Sequence, residues 1–119
     1  MAQADNIYHQ NWEDIYFTGY DGIRLYGRHY HGDRSKRPLI CLSDITQNSR
    51  TFEPLAQALS SERFGRRPIF TLDYRGRGQS ESDPNWKNYT PLIEMADVVN
   101  FMSLKRIHQP TILASGWGG

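Results

Sequence analysis

Three short, β-forming, largely apolar tracts constrain this chain more than anything else in it. They are Leu39-Ile40-Cys41-Leu42 behind Pro38, Ile69-Phe70-Thr71-Leu72 behind Pro68, and Thr111-Ile112-Leu113-Ala114 behind Gln109-Pro110. A strand that is apolar on both faces must be covered on both, which is the habit of a parallel sheet inside an α/β fold. The segments between the tracts supply the cover. From about residue 50 to 62, Phe52, Leu55, Ala56 and Leu59 recur at helical spacing, with Pro54 confining the start to the first turn and Gly65 as the stop. Thr90-Pro91 then opens a second helix as cap and first residue, with Leu92, Met95, Ala96, Val99 and Met102 as its apolar stripe. Strand-helix-strand-helix-strand predicts a parallel sheet with right-handed crossovers. Ahead of it, 14–19 and 23–30 read as two strands around the turn Tyr20-Asp21-Gly22, where glycine tolerates the positive φ of a hairpin. The expected fold class is α/β, mostly parallel, with an antiparallel N-terminal hairpin and helices on its faces.

At 119 residues the chain is one domain at most, read here as a polar segment 1–13 followed by a domain over 14–119. A formal charge of +1 gives no global attraction to nucleic acid or to an anionic membrane. Arg34, Lys36, Arg37 and Arg63, Arg66, Arg67 read as solvated loops, and Arg75-Gly76-Arg77-Gly78 as a tight turn rather than an RNA-binding tract. Cys41, the lone cysteine, reads as a buried strand residue in a reducing compartment. Neither a leader peptide nor an apolar run of about 20 residues is evident, so the expected location is cytoplasmic. No Cys/His/carboxylate group shows metal-ligand spacing, and neither metal nor cofactor is expected. His9, His29, His31 and His108 read as surface or strand-end residues, and 83–89 as a surface loop resting its aromatic rings on the core.

Four stretches together resemble the α/β-hydrolase family, specifically its esterase-like serine hydrolases, over the N-terminal half of that fold. Tyr20-Asp21-Gly22-Ile23-Arg24-Leu25-Tyr26 is similar to the opening hairpin. Leu42 to Ser49 stands where the family has its oxyanion loop, and Asp73-Tyr74-Arg75-Gly76-Arg77-Gly78-Gln79-Ser80 resembles its D-x-R-G-x-G-x-S turn. Ala114-Ser115-Gly116-Trp117-Gly118 resembles the nucleophile elbow, small-x-nucleophile-x-Gly. Ala114 and Gly118 fill the small positions, so the nucleophile position falls on Gly116, which has no side chain. By the same resemblance the backbone N–H groups of Ile45 and Trp117 would form the oxyanion hole. Asp44 replaces a customary glycine there, and Asp44 and Trp117 are the pocket candidates.

The resemblance implies hydrolysis of an ester or related bond, with the family's acid and histidine following the elbow in chain order. With Gly116 at the nucleophile position, the chain as written is expected to be catalytically inactive. The alternatives are a non-catalytic small-molecule-binding module and a truncated gene product without function of its own. The expected partner is a small molecule, with neither nucleic acid nor membrane. The strand 111–114 is expected to leave an apolar edge that supports self-association. What remains of the core is expected to be covered on one face by the two helices.

Overall fold

The computed structural model describes residues 12–19, 21–42, 49–61 and 65–114. Strands β1 (Trp12–Thr18) and β2 (Arg24–Tyr30) form the hairpin, followed by β3 (Leu39–Leu42), α1 (Glu53–Leu59), β4 (Ile69–Asp73), α2 (Pro91–Leu104) and β5 (Thr111–Ala114). A 3-10 turn, Ser49–Phe52, leads into α1, so the α-helix proper begins at Glu53 with Pro54 in its first turn, as the proline requires. The Thr90 hydroxyl accepts the Ile93 N–H at 3.3 Å and Pro91 opens α2, as the sequence predicts. The β1 strand starts at Trp12, two residues ahead of its expected start.

The five strands lie in the order β1-β2-β4-β3-β5. The hairpin is antiparallel, β2 pairs antiparallel with β4, and β4, β3 and β5 run parallel. Gly22 in the hairpin turn has φ +91°, the left-handed conformation expected of it.

Alternation along the strands sorts the core into two clusters. Ile15, Ile40, Leu42, Phe70 and Leu72 pack with Val98 and Phe101 of α2. Tyr30, Leu39, Cys41 and Ile69 pack with Phe52 and Ala56 at the start of and within α1. Because neighbours in a strand point to opposite faces, the two helices cover opposite faces of the sheet rather than one. Right-handed crossovers leaving β3 for one neighbour and then passing back over it to the other require that arrangement. It also explains β2, whose polar-reading side, Tyr26, Arg28 and Tyr30, is buried. Arg28 sits under α1, with its guanidinium 3.7 Å from the Trp12 ring and bonded to Glu53 at 3.1 Å.

Most of the apolar stripe expected to bury α2 faces the other way, and of its five residues Met102 packs against the core. Leu92 is 79 % and Val99 54 % exposed, and Met95 is also exposed. The buried side carries Glu94, Asp97, Val98 and Phe101. In α1, Leu55 likewise faces solvent while Phe52 and Ala56 are buried. Hydrophobicity alone misassigned α2 because its sheet-facing side includes a carboxylate, Asp97, with a tertiary partner. Phe101→Ala is therefore expected to cost about 3–5 kcal/mol, since its ring lies 4.8 Å from Phe17 and 5.2 Å from Phe70. Val99→Ser should stay within about 0.5 kcal/mol. Urea unfolding of the two variants separates the faces, and a Val99→Ser loss as large as that of Phe101→Ala would reverse the assignment.

Candidate functional site

The parallel strands end together. Leu42 pairs with Leu72 on one side and with Ala114 on the other, so the carboxyl ends of β4, β3 and β5 share one edge of the sheet. The chain leaves β3 toward β4 on one side and returns to β5 on the other, which makes β3 a topological switch point. In open α/β sheets, ligands bind in the crevice outside the carboxyl strand ends at such a point. Segments 43–48 and 115–119 follow β3 and β5 in the chain, and those two strands are neighbours. Asp44, Ile45, Gly116 and Trp117, the residues expected to make the site, lie in those segments and outside the described residues.

What the structure does describe is the turn that follows β4 at the same edge. Asp73 ends β4, is buried, and accepts the Gln79 N–H at 3.0 Å. The Ser80 hydroxyl donates to the Asp73 carbonyl at 2.7 Å and accepts the Tyr26 N–H at 2.9 Å, tying the turn to β2. Gly76 and Gly78 have φ of +72° and +50°. A side chain at Gly76 would meet the Tyr89 ring, and one at Gly78 would meet the Asp73 carboxylate. The turn is thus built from glycine where the backbone reverses against its own neighbours, as the sequence reading holds.

Arg75 anchors this turn. Its side chain is fully buried and meets three carboxylates. Asp97 of α2 takes it bidentately, from Nε at 2.8 Å and from Nη2 at 2.6 Å. Asp83 accepts from Nη1 at 2.7 Å, and Asp21 of the hairpin turn accepts from both Nη1 and Nη2, at 2.9 and 3.0 Å. Hydrogen bonding from Arg75 holds Asp21 below the ordinary carboxylate range, and the Asn85 N–H does the same for Asp83. Burial raises Asp97 in spite of the guanidinium facing it. The arrangement is a brace, not a catalytic group: every nitrogen of the guanidinium is turned to a carboxylate.

The remaining readings divide. Cys41 is fully buried, and burial pushes its thiol up to about 12, so it is a packing residue as expected. In the 83–89 loop, Tyr89 packs on Gly76, accepts the Asp83 N–H at 2.6 Å and donates to the Asp83 carbonyl at 3.2 Å. Trp86, expected to rest on the core, is 76 % exposed. His29, His31 and His108 gather at the opposite, amino edge of the parallel strands, around a cavity that also touches Pro38 and Pro68. There Glu13, His29 and His31 converge, a metal-ligand grouping that sequence spacing missed. Its signal was the hairpin itself. Folding about Asp21 pairs Glu13 with His29, and His31 follows two residues later, just past the end of β2.

No family model matches the chain, and no curated protein matches it in sequence. Solved structures do match it. An α/β hydrolase from Novosphingobium aromaticivorans is 34 % identical, with a TM-score of 0.78 over 87 % of this chain and 34 % of its own. An epoxide hydrolase from Vigna radiata, 21 % identical, superposes with a TM-score of 0.80 over 92 % of this chain and 34 % of its own. The chain thus spans about a third of the length of these structures, less than the half that the resemblance implied.

Proposed function

From a chain that carries a partial α/β-hydrolase fold, we propose that its carboxyl edge belongs to a hydrolase site for an ester or related bond. We propose also that these 119 residues by themselves perform no turnover. The observation that carries the reading is the pairing of Leu42 with Ala114. Ile45 follows β3 in the chain, Gly116 and Trp117 follow β5, and those two strands are neighbours at a switch point. Two backbone N–H groups converging from such neighbours are what a developing oxyanion needs. Attack needs a side chain at position 116, and glycine has none. The partner of this edge is a small molecule. The open side of β5, where Ile112 and Leu113 are partly exposed, is the surface for a second copy of the chain. The setting is cytoplasmic, in keeping with a lone free thiol. Among the described residues, no helix is long and apolar enough to cross a membrane.

The test is turnover of short-chain aryl esters by the purified chain. The expected result is hydrolysis indistinguishable from buffer. Turnover that survives repeated purification and is stopped by a serine-directed fluorophosphonate would overturn the inactivity. Binding of a substrate-sized ester without turnover would support the edge as a ligand site.

A further inference from the structure

The amino edge of the sheet carries a group of side chains that the carboxyl-edge reading does not use. Glu13 on β1 lies opposite His29 on β2, and His31 follows on the same face just past the strand end. The Glu13 Oε1 atom is 3.5 Å from His29 Nδ1 and 3.1 Å from His31 Nε2, and the three ligand atoms all lie within 4.8 Å of one another. A zinc-type ion held tetrahedrally by nitrogen and oxygen at about 2.0–2.1 Å sets its ligand atoms about 3.3–3.4 Å apart. The two Glu13–histidine separations straddle that value, and the histidine pair lies within 4.8 Å, so closure on an ion needs only side-chain rotation at the exposed His31 and Glu13.

The scaffold favours a fixed site over a chance meeting of side chains. The His29 ring is half-buried and stacks on Phe70 at 4.4 Å and 12°. His31 packs against it at 4.2 Å. Glu13 and His31 stay more than half exposed, which leaves an entry path. The group opens into a cavity of about 630 Å³ whose wall includes Arg34, Lys36, Lys105 and Arg106. Those cations disfavour a bare divalent ion, but they suit one whose remaining position is taken by an anion.

We propose that Glu13, His29 and His31 form a three-ligand site for a zinc-type divalent cation, with its fourth position turned toward the basic cavity and taken by an anionic ligand. Two imidazoles and one carboxylate suit Zn²⁺ and its neighbours Co²⁺ and Ni²⁺ over Ca²⁺ or Mg²⁺, which prefer all-oxygen shells. The site lies at the sheet edge remote from the proposed hydrolase site, so the two readings stand or fall separately.

The experiment is titration of the tag-free chain with Co²⁺, read by ligand-field absorption, followed by displacement with Zn²⁺. One ion per chain with an intense tetrahedral-type spectrum is expected. His31→Ala and Glu13→Gln, both at exposed positions and checked for folding by circular dichroism, should each weaken binding by more than roughly tenfold. His108→Ala, on the same cavity wall but outside the triad, should leave it unchanged. Adding phosphate should tighten Co²⁺ binding or change its spectrum. Binding that ignores His31→Ala and Glu13→Gln, or no saturable binding of either ion at micromolar concentrations, would overturn the proposal.

Discussion

Arg75→Met is expected to cost about 3–5 kcal/mol of folding free energy, a large part of the ~5–15 kcal/mol that holds a domain of ordinary stability. The side chain volume is nearly kept, so the cause is electrostatic. One guanidinium meets Asp21, Asp83 and Asp97 with no exposure to water. Removing it leaves three carboxylates converging on an apolar methionine. Arg75→Lys should recover only part of the loss, because an ammonium cannot reproduce the bidentate fork to Asp97 while also reaching Asp21 and Asp83. The damage would spread because the network joins the hairpin turn, the turn after β4 and α2. Asp97→Asn in the Arg75→Met background should return some stability, and a double-mutant cycle measures the coupling. The pH dependence has a definite sign. Asp21 and Asp83 are held below the ordinary carboxylate range, so their contribution is present above the pKa of the unfolded carboxyls and is lost as pH falls through their lower folded values. Asp97, raised by burial, works in the opposite sense and offsets part of it. Removing Arg75 should shrink the acid-side loss as well as the plateau. A shift below about 1 kcal/mol would mean that the network repacks without its cation and that the brace is dispensable.

Gly116→Ser is expected to yield no hydrolase activity and no fluorophosphonate labelling beyond that of a surface serine. A serine without its base falls short of a complete triad by about 10⁶ in kcat. Position 116 lies two residues past Ala114, at the carboxyl end of β5. His29, His31 and His108 are at the amino edge. A four-residue strand separates the two edges, which at about 3.3 Å per residue is about 13 Å. None of the three lies near the carboxyl end of β5, whereas a general base must come within a hydrogen bond of about 2.6–3.2 Å of the hydroxyl it serves. His9 lies outside the described residues. Rapid covalent labelling of Gly116→Ser that is abolished by His9→Ala would show a base from the N-terminal segment and defeat the argument. Labelling that survives the loss of every histidine would trace to ordinary surface reactivity.

Several elements were legible in the chain because the determining chemistry is local. Pro38 and Pro68 precede apolar tracts that became strands buried along their whole length, as continuous apolarity demands, whereas the tract behind Pro110 became an edge strand whose Ile112 and Leu113 are exposed. Thr90-Pro91 carries its own capping geometry. The glycines at 76 and 78 take positive φ, which a residue without a Cβ adopts at no local steric cost. Other features were not legible, and for one reason. Arg75 draws its carboxylates from 8, 22 and 54 residues away, and until that pairing is known Asp97 reads as a solvent-facing residue. That pairing helps to set which face of α2 is buried, and an apolar stripe read from spacing cannot show it. The same holds for Glu13 and the two histidines, which only the hairpin register brings together.

What the sequence by itself determined was the order and kind of the elements, the turn chemistry, and the empty side chain at position 116. These follow from hydrophobic periodicity, backbone conformation and residue identity, which act over a few neighbours. The tertiary structure alone decided which face of each helix is buried, that the two helices cover opposite faces, and which charges meet. A buried charge is tolerable only against a partner, and whether that partner arrives depends on how distant strands and turns are brought together.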